Sequence, residues 1–253
     1  MKEAGEEISL HHQIHDKSVA KNQSGMICSG EQTIFLYTIK KEETTAIENI
    51  ISTLQQNKNA SLKLSPHGIV FDDTVPDENY QLQITSDNDF VFIEKICYKN
   101  ILYIVGGGHC SLALSQLMSS MDFYIQLLDH RDGLNTMEQN LFVQEKKVVN
   151  DFSELSTLIP SSPNSFVVVM TFGYRTDADA LKALAGKDFA YIGVLGSKNK
   201  IKKMFEQLAE EGIDKAWLGK LYAPIGIPIK SETTEEIAIS IAAEIIRVKN
   251  TSL

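Results

Sequence analysis

The chain predicts an α/β protein: a doubly wound parallel sheet in residues 99–253, preceded by a smaller α+β unit in residues 1–98. Three observations point to it. From residue 99 onward, short continuous apolar runs alternate with segments of helical period, as in strands buried on both faces between crossover helices. A glycine-rich turn, Gly106-Gly107-Gly108, stands between the first of these runs and the first of these helices, the arrangement of a Rossmann-like domain. Ahead of residue 99 the apolar runs are shorter and are separated by Pro66, Asp72-Asp73, Pro76 and Asp87-Asn88, which punctuate the chain as hairpins do.

Residues 1–24 are polar, lack a sustained apolar period, and predict a helix fragment or an unpacked arm. The run EQTIFLYTI at 31–39 is rich in β-branched and aromatic residues and predicts a strand. Ile47, Ile50, Ile51 and Leu54 then fall at helical spacing over 45–54. Short strands follow at 62–64, 68–72, 80–84 and 90–98. In the second unit, strands are predicted at 101–105, 123–128, 148–149, 166–171 and 190–195. Between them lie helices at 111–121, 177–185 with Gly186 as a left-handed stop, and 198–210 stopping at Gly212. A last helix opens on a capping box, Thr233 with Glu236, and carries Ile237, Ile241, Ile245 and Val248 on one face.

Composition narrows the function. At 253 residues and 43% apolar content, the chain can bury sizeable cores. A formal charge of −9, with no block of Lys and Arg, presents a repulsive average field to a polyanion, so no nucleic-acid partner is expected. A small anion stays compatible, because a few backbone amides and a local cation can hold a phosphate whatever the net charge. Cys28, Cys97 and Cys110 stand in no metal-ligand spacing, and no disulfide framework follows. Without a charged-then-apolar leader or an apolar run near the roughly 20 residues of a membrane span, a cytoplasmic protein with no membrane partner is expected.

Four places can carry chemistry. At the first glycine turn, Gly106 and Gly108 let the chain bend and let a phosphate approach the backbone, and the helix behind them offers unpaired amides. Ser111 replaces the third glycine of G-x-G-x-x-G, while Asp129 closes the next strand about twenty residues on, where a dinucleotide fold puts the carboxylate that accepts a ribose hydroxyl. His109 belongs at the mouth of this site, as a phosphate contact or as a cap on the first helical turn. The second place is YIGVLGSK, where Gly196 and Ser197 offer amides and a hydroxyl, and Lys198 or Lys200 a charge; taken alone, Ser197 reads as an N-cap. The third is Thr171-Phe172-Gly173-Tyr174-Arg175, with Thr171 and Arg175 within reach of the same crevice and Asp177 capping the helix that follows; Asp129-His130-Arg131-Asp132 has the residue types of an acid–base or ion-pair cluster, though charged clusters after strands are more often solvated loops. The fourth is Gly25-Met26-Ile27-Cys28-Ser29-Gly30, where Cys28 is either a partly buried free thiol or an exposed one able to meet a metal. His11-His12-x-x-His15 lacks an acidic or thiol partner at matching spacing.

In combination and in order, GGGHCSLAL, LLDHRDG, TFGYRTDADAL, YIGVLGSKNK and APIGIPIKSETTEEIAISIAAEII resemble the C-terminal domain of the XdhC/CoxI family, the xanthine dehydrogenase accessory proteins. SGMICSGEQTIFLYTI is similar to the family's cysteine-glycine segment, with Ser29-Gly30 where the family usually has two glycines. No equivalent of the family's glycine-rich stretch ahead of that segment is found in residues 1–24, so a shortened member is expected. The resemblance implies a dimeric chaperone, without turnover of its own, that binds molybdenum cofactor (molybdopterin). A cysteine desulfurase would install the sulfido ligand, and a molybdenum hydroxylase apoenzyme would receive the cofactor. By position it implies contacts from Gly106, Gly108, His109, Asp129, Gly196, Ser197 and Lys198, with Thr171 in the same crevice and Cys28 near the metal. The competing expectation is an NAD(P)-dependent oxidoreductase using the same crevice; the Asp129 placement favours it, and the absence of a Tyr-x-x-x-Lys pair or comparable acid at an obvious catalytic distance in sequence counts against it.

Overall fold

A computed structural model describes residues 8–14, 30–56, 58–76, 78–86, 89–96 and 100–251. Contacts divide the chain into two compact units at Cys97/Tyr98. In the first, β1 (Ile8–Ile14) pairs antiparallel with β2 (Glu31–Tyr37), Ile8 opposite Tyr37. This corrects the helix fragment or arm expected there: Ile8, Leu10 and Ile14 recur with period two, a strand signal too short to stand out among polar neighbours. After α1 (Thr44–Gln55), strands β3 (Ala60–Ser65), β4 (Gly68–Asp72), β5 (Tyr80–Ser86) and β6 (Asp89–Ile96) form an antiparallel sheet in the order β4-β3-β6-β5. Phe35 of β2 stacks on Phe90 of β6 with ring centroids 4.4 Å apart. The Glu43 carboxylate accepts from the amides of Lys40 at 2.7 Å and Ile69 at 2.9 Å and from the Tyr37 hydroxyl. It thereby ties the start of α1 to β2 and β4.

The second unit is built on five parallel strands: β7 (Asn100–Val105), β8 (Phe123–Asp129), β9 (Glu145–Val148), β10 (Ser162–Val169) and β11 (Phe189–Val194). Their order is β11-β10-β7-β8-β9, so the chain winds outward from β7 to one edge, returns to β7's other side, and winds out again. The strands read as unbroken apolar runs because alternate residues serve two cores. Leu102 and Ile104 of β7 and Phe166 and Val168 of β10 pack with α2 (His109–Met118) and α8 (Thr234–Thr251) on one face. Tyr103, Val105, Val167 and Val169 face the opposite way, against α5 (Tyr174–Leu184) and α6 (Lys198–Glu210).

Shorter helices complete the layers: α3 (Asn135–Glu138), α4 (Leu155–Leu158) and α7 (Lys215–Leu218). The capping box at the head of α8 is made on both sides, Glu236 N–H to Thr233 Oγ1 at 3.2 Å and Thr233 N–H to Glu236 Oε2 at 3.1 Å. A second tie holds α8 to the sheet, where the buried Tyr191 hydroxyl donates to Glu244 at 2.8 Å. The two edges of the sheet are treated differently. The segment after α7 runs alongside β11, with Tyr222 N–H to Ile192 O and Val194 N–H to Tyr222 O, both at 2.9 Å. The four-residue β9, Glu-Lys-Lys-Val, pairs with β8 on one side. Among the described residues no helix is long and apolar enough to cross a membrane.

Candidate functional site

The strand order sets where a ligand can enter. Between β7 and β10 the direction of winding reverses, and the loops leaving these two strands diverge to opposite faces, opening a crevice at the strands' carboxyl ends. The first turn here is stitched to both neighbours, Gly106 N–H to Leu128 O at 2.7 Å and Met170 N–H to Val105 O at 2.8 Å. Gly106 has φ +115°, and a Cβ there would lie 2.3 Å from Met170 O. Close approach of two strand ends therefore demands this glycine, with no ligand involved. Gly108 differs. It is the N-cap of α2, and a Cβ there would meet nothing within 4 Å, so its backbone faces open space.

Asp129 ends β8 and is 1% exposed. Its Oδ2 accepts from Gly107 N–H at 2.6 Å and Arg131 Nη2 at 2.7 Å; its Oδ1 accepts from Arg131 N–H at 2.9 Å and Arg131 Nε at 3.0 Å. Burial alone pushes this carboxyl up. The Arg131 guanidinium and the two amides outweigh burial and hold it below the usual carboxylate range. Where a ribose hydroxyl was expected on Asp129, its two oxygens here accept from the chain's own donors. What the strand end presents outward is Arg131, whose planar group is fixed by the paired contact and lies 5.6 Å from the Phe172 ring centroid. The loop 129–132 is thus an organised ion-pair turn.

The loop after β10 is equally fixed. Asp177, expected as a helix cap, is fully buried one turn inside α5, because the helix begins three residues earlier than its apolar pattern implied. Its carboxylate accepts from Thr171 N–H at 2.9 Å, from the Thr171 hydroxyl at 2.6 Å and from Lys200 Nζ. Gly173 is the N-cap, and its N–H is taken by Thr176 Oγ1 at 3.2 Å.

Around these groups lies a cavity of about 540 Å³ lined by Gly108, His109, Arg131, Thr136, Thr171 and Phe172, among others. Of the residues singled out from sequence, Gly108, His109 and Thr171 line it, while Gly106 and Asp129 are buried. Gly196, Ser197 and Lys198 do not line it. With β10 standing between β7 and β11, the 171–177 loop separates the two turns, and Lys200 reaches back to Asp177 and to Leu195 O. A Cβ on Gly196 would lie 2.9 Å from Lys200 Cδ, and Ser197 Oγ accepts from Lys200 N–H at 3.3 Å as the N-cap of α6. Cys28 lies outside the described residues, as does His15. His12 sits 3.3 Å from Glu31 and from Thr33 Oγ1. Cys110 is half-buried, and burial pushes its thiol up. Among the described residues no three His, Cys, Asp or Glu side chains gather to hold a metal. Arg131 and Phe172, which the sequence placed in a charged cluster and a strand-end run without giving either a contact, also line the cavity; an arginine two places beyond a strand-end carboxylate was the available signal.

A doubly wound parallel sheet with a glycine turn and an arginine-bearing cavity at its switch point places this unit in the Rossmann class. Residues 102–245 match the family model of the XdhC Rossmann domain, more than half of the chain. The chain belongs to the XdhC family. It is 32% identical over 163 residues to the uncharacterized protein YqeB of Escherichia coli, and 29% identical over 160 residues to a probable xanthine dehydrogenase subunit of Bacillus subtilis. Each match takes in 63% of this chain, but 29% and 46% of the respective relative, so the chain spans less than half of either. A crystal structure described as a xanthine dehydrogenase from Bacillus halodurans has the same fold, with a TM-score of 0.69 and 24% identity over 96% of this chain and 76% of that one.

Proposed function

We propose that this chain is an accessory factor for a molybdenum hydroxylase of the xanthine dehydrogenase type, and that the switch-point cavity receives the phosphate-bearing pterin of molybdenum cofactor. One observation carries the reading: a fixed guanidinium, Arg131, lines a cavity together with Gly108, which has no side chain and whose Cβ position meets no protein atom. The donor set fits the cofactor's phosphate, with the guanidinium as a planar two-point donor and the His109 and Thr171 side chains beside it. The molybdenum centre supplies the hydroxylation chemistry of the client enzyme, and this chain's residues bind and orient the cofactor without turnover. The hydroxylase apoenzyme, a cysteine desulfurase and a second copy of this chain are the proposed partners. The name of the Bacillus subtilis relative, a probable xanthine dehydrogenase subunit, supports the first of these.

A second reading is NADP binding, favoured because Arg131 stands where such folds place the arginine that receives a 2′-phosphate. Titration of the purified chain with molybdenum cofactor and with NADPH separates the two. Cofactor uptake that falls at least tenfold in Arg131→Ala is expected. Tight NADPH binding with indifference to the cofactor overturns the accessory role.

A further inference from the structure

Phe172 is 84% exposed, yet the loop that carries it is pinned on both sides. On one side of it, the Thr171 amide and hydroxyl both bond to buried Asp177, and on the other the Gly173 amide bonds to Thr176. Nothing in the sheet's packing calls for an aromatic ring there: neither core cluster includes it. Its ring contact is the Arg131 guanidinium, itself held flat by Nε and Nη2 on Asp129. Both groups line the same cavity. A water-facing aromatic carried on a pinned backbone beside a cation held by Asp129 is placed to take a third planar group: a conjugated ring stacks on the free area of Phe172, and the charge of Arg131 draws an attached anion.

We propose that Phe172 and Arg131 form a stacking clamp that selects a planar conjugated heterocycle tethered to a phosphomonoester. This rests on the reading of the cavity as the ligand site and adds to it the residue that recognises the ring. A second cavity, about 690 Å³ and lined by His130, Asn150, Ser153, Thr176 and Lys182 among others, has Phe152 as its phenyl ring, and that ring is buried against His130. The clamp is therefore particular to the Arg131 side.

The test uses the full chain and two fluorescent or ultraviolet-absorbing probes, neopterin monophosphate and 2′-AMP, with neopterin, adenosine and inorganic phosphate as controls. Stacking is expected to quench the pterin's fluorescence. Phe172→Ala is expected to weaken the phosphorylated heterocycle that binds by about tenfold, to abolish the quenching, and to leave competition by inorganic phosphate unchanged. Phe172→Tyr restores both signals. Arg131→Ala is expected to weaken the phosphorylated probe more than its unphosphorylated counterpart. Wild-type affinity and quenching in Phe172→Ala overturn the clamp. So does a wild-type chain that binds neither probe, or a Phe172→Ala variant impaired only in association with the apoenzyme. Stacking of either probe by a chain that takes up no molybdenum cofactor sinks the accessory role and leaves the clamp standing.

Discussion

Asp129 shows how much a single buried carboxylate can organise when its donors come from the chain itself. Its folded acidity is raised in strength by Arg131 and the Gly107 amide, so its contribution to stability is fully present above the ordinary aspartate value of about 3.9 and is lost as pH falls through the lower folded value. Asp129→Asn is expected to cost about 2–3 kcal/mol at neutral pH. It should also flatten the loss of stability below about pH 4, as checked by chemical denaturation at several pH values. The two outer glycines of the turn should separate cleanly. Gly106→Ala forces a side chain onto Met170 O at positive φ and is expected to unfold the switch point. Gly108→Ala meets no protein atom, so it should lower the melting temperature only by the small cost of a poorer N-cap, far less than Gly106→Ala, while ligand binding weakens. Sequence spacing put these residues at strand ends but did not show the contacts that Asp129 makes. It records which chemical groups are near one another along the chain, whereas the saturation of Asp129 depends on a backbone amide from another strand end and on an arginine folding back over it.

The elements behind the crevice are joined by one buried ion pair. Asp177 of α5 and Lys200 of α6 meet beneath the loop that carries Thr171 and Phe172. Asp177→Ala removes the acceptor of two loop bonds and leaves a partly buried ammonium, at an expected cost of about 3 kcal/mol by denaturant unfolding. Lys200→Met, which retains the packing of the stem but leaves the buried Asp177 carboxylate without its cation, should cost a similar amount and loosen the loop, measurable as faster amide exchange at Thr171. Four of the five strands and the long helices of the second unit were legible in the sequence because their core-facing patterns are strongly apolar or repeat over two or more turns; β9, expected at 148–149, runs Glu145–Val148, because an edge strand of Glu-Lys-Lys-Val leaves no apolar run to read. Helix starts were less so. α5 opens at Tyr174, ahead of its first apolar residue, since Gly173 and Thr176 supply the cap, and a cap built from a glycine backbone leaves little trace in composition. The strand at Ile8–Ile14 was missed for the related reason that a single two-residue period over seven positions carries little signal.

Across the whole chain, strand order decided what sequence could not. Glycine turns at Gly106 and Gly196 follow parallel strands at the same end of the sheet, and nothing local says that β10 and its loop stand between them. The single tryptophan, Trp217, is buried and donates from Nε1 to Lys187 O at 2.9 Å, so its fluorescence follows unfolding of the second unit. A ligand held in the crevice should raise that transition by about 2.7 kcal/mol at a hundredfold excess over its Kd, and Phe172→Ala, with its tenfold weaker binding, should erase about half of the gain at fixed ligand concentration.

The unequal edges of the sheet have their own consequence for life in concentrated solution. Where Tyr222 shields one margin with the chain's own backbone, the other is kept apart from its kind by the ammonium groups of Lys146 and Lys147, which repel a like strand that tries to extend the ladder. Replacing both with threonine should leave each molecule folded while making it prone to self-association, visible as rising light scattering long before any change in circular dichroism.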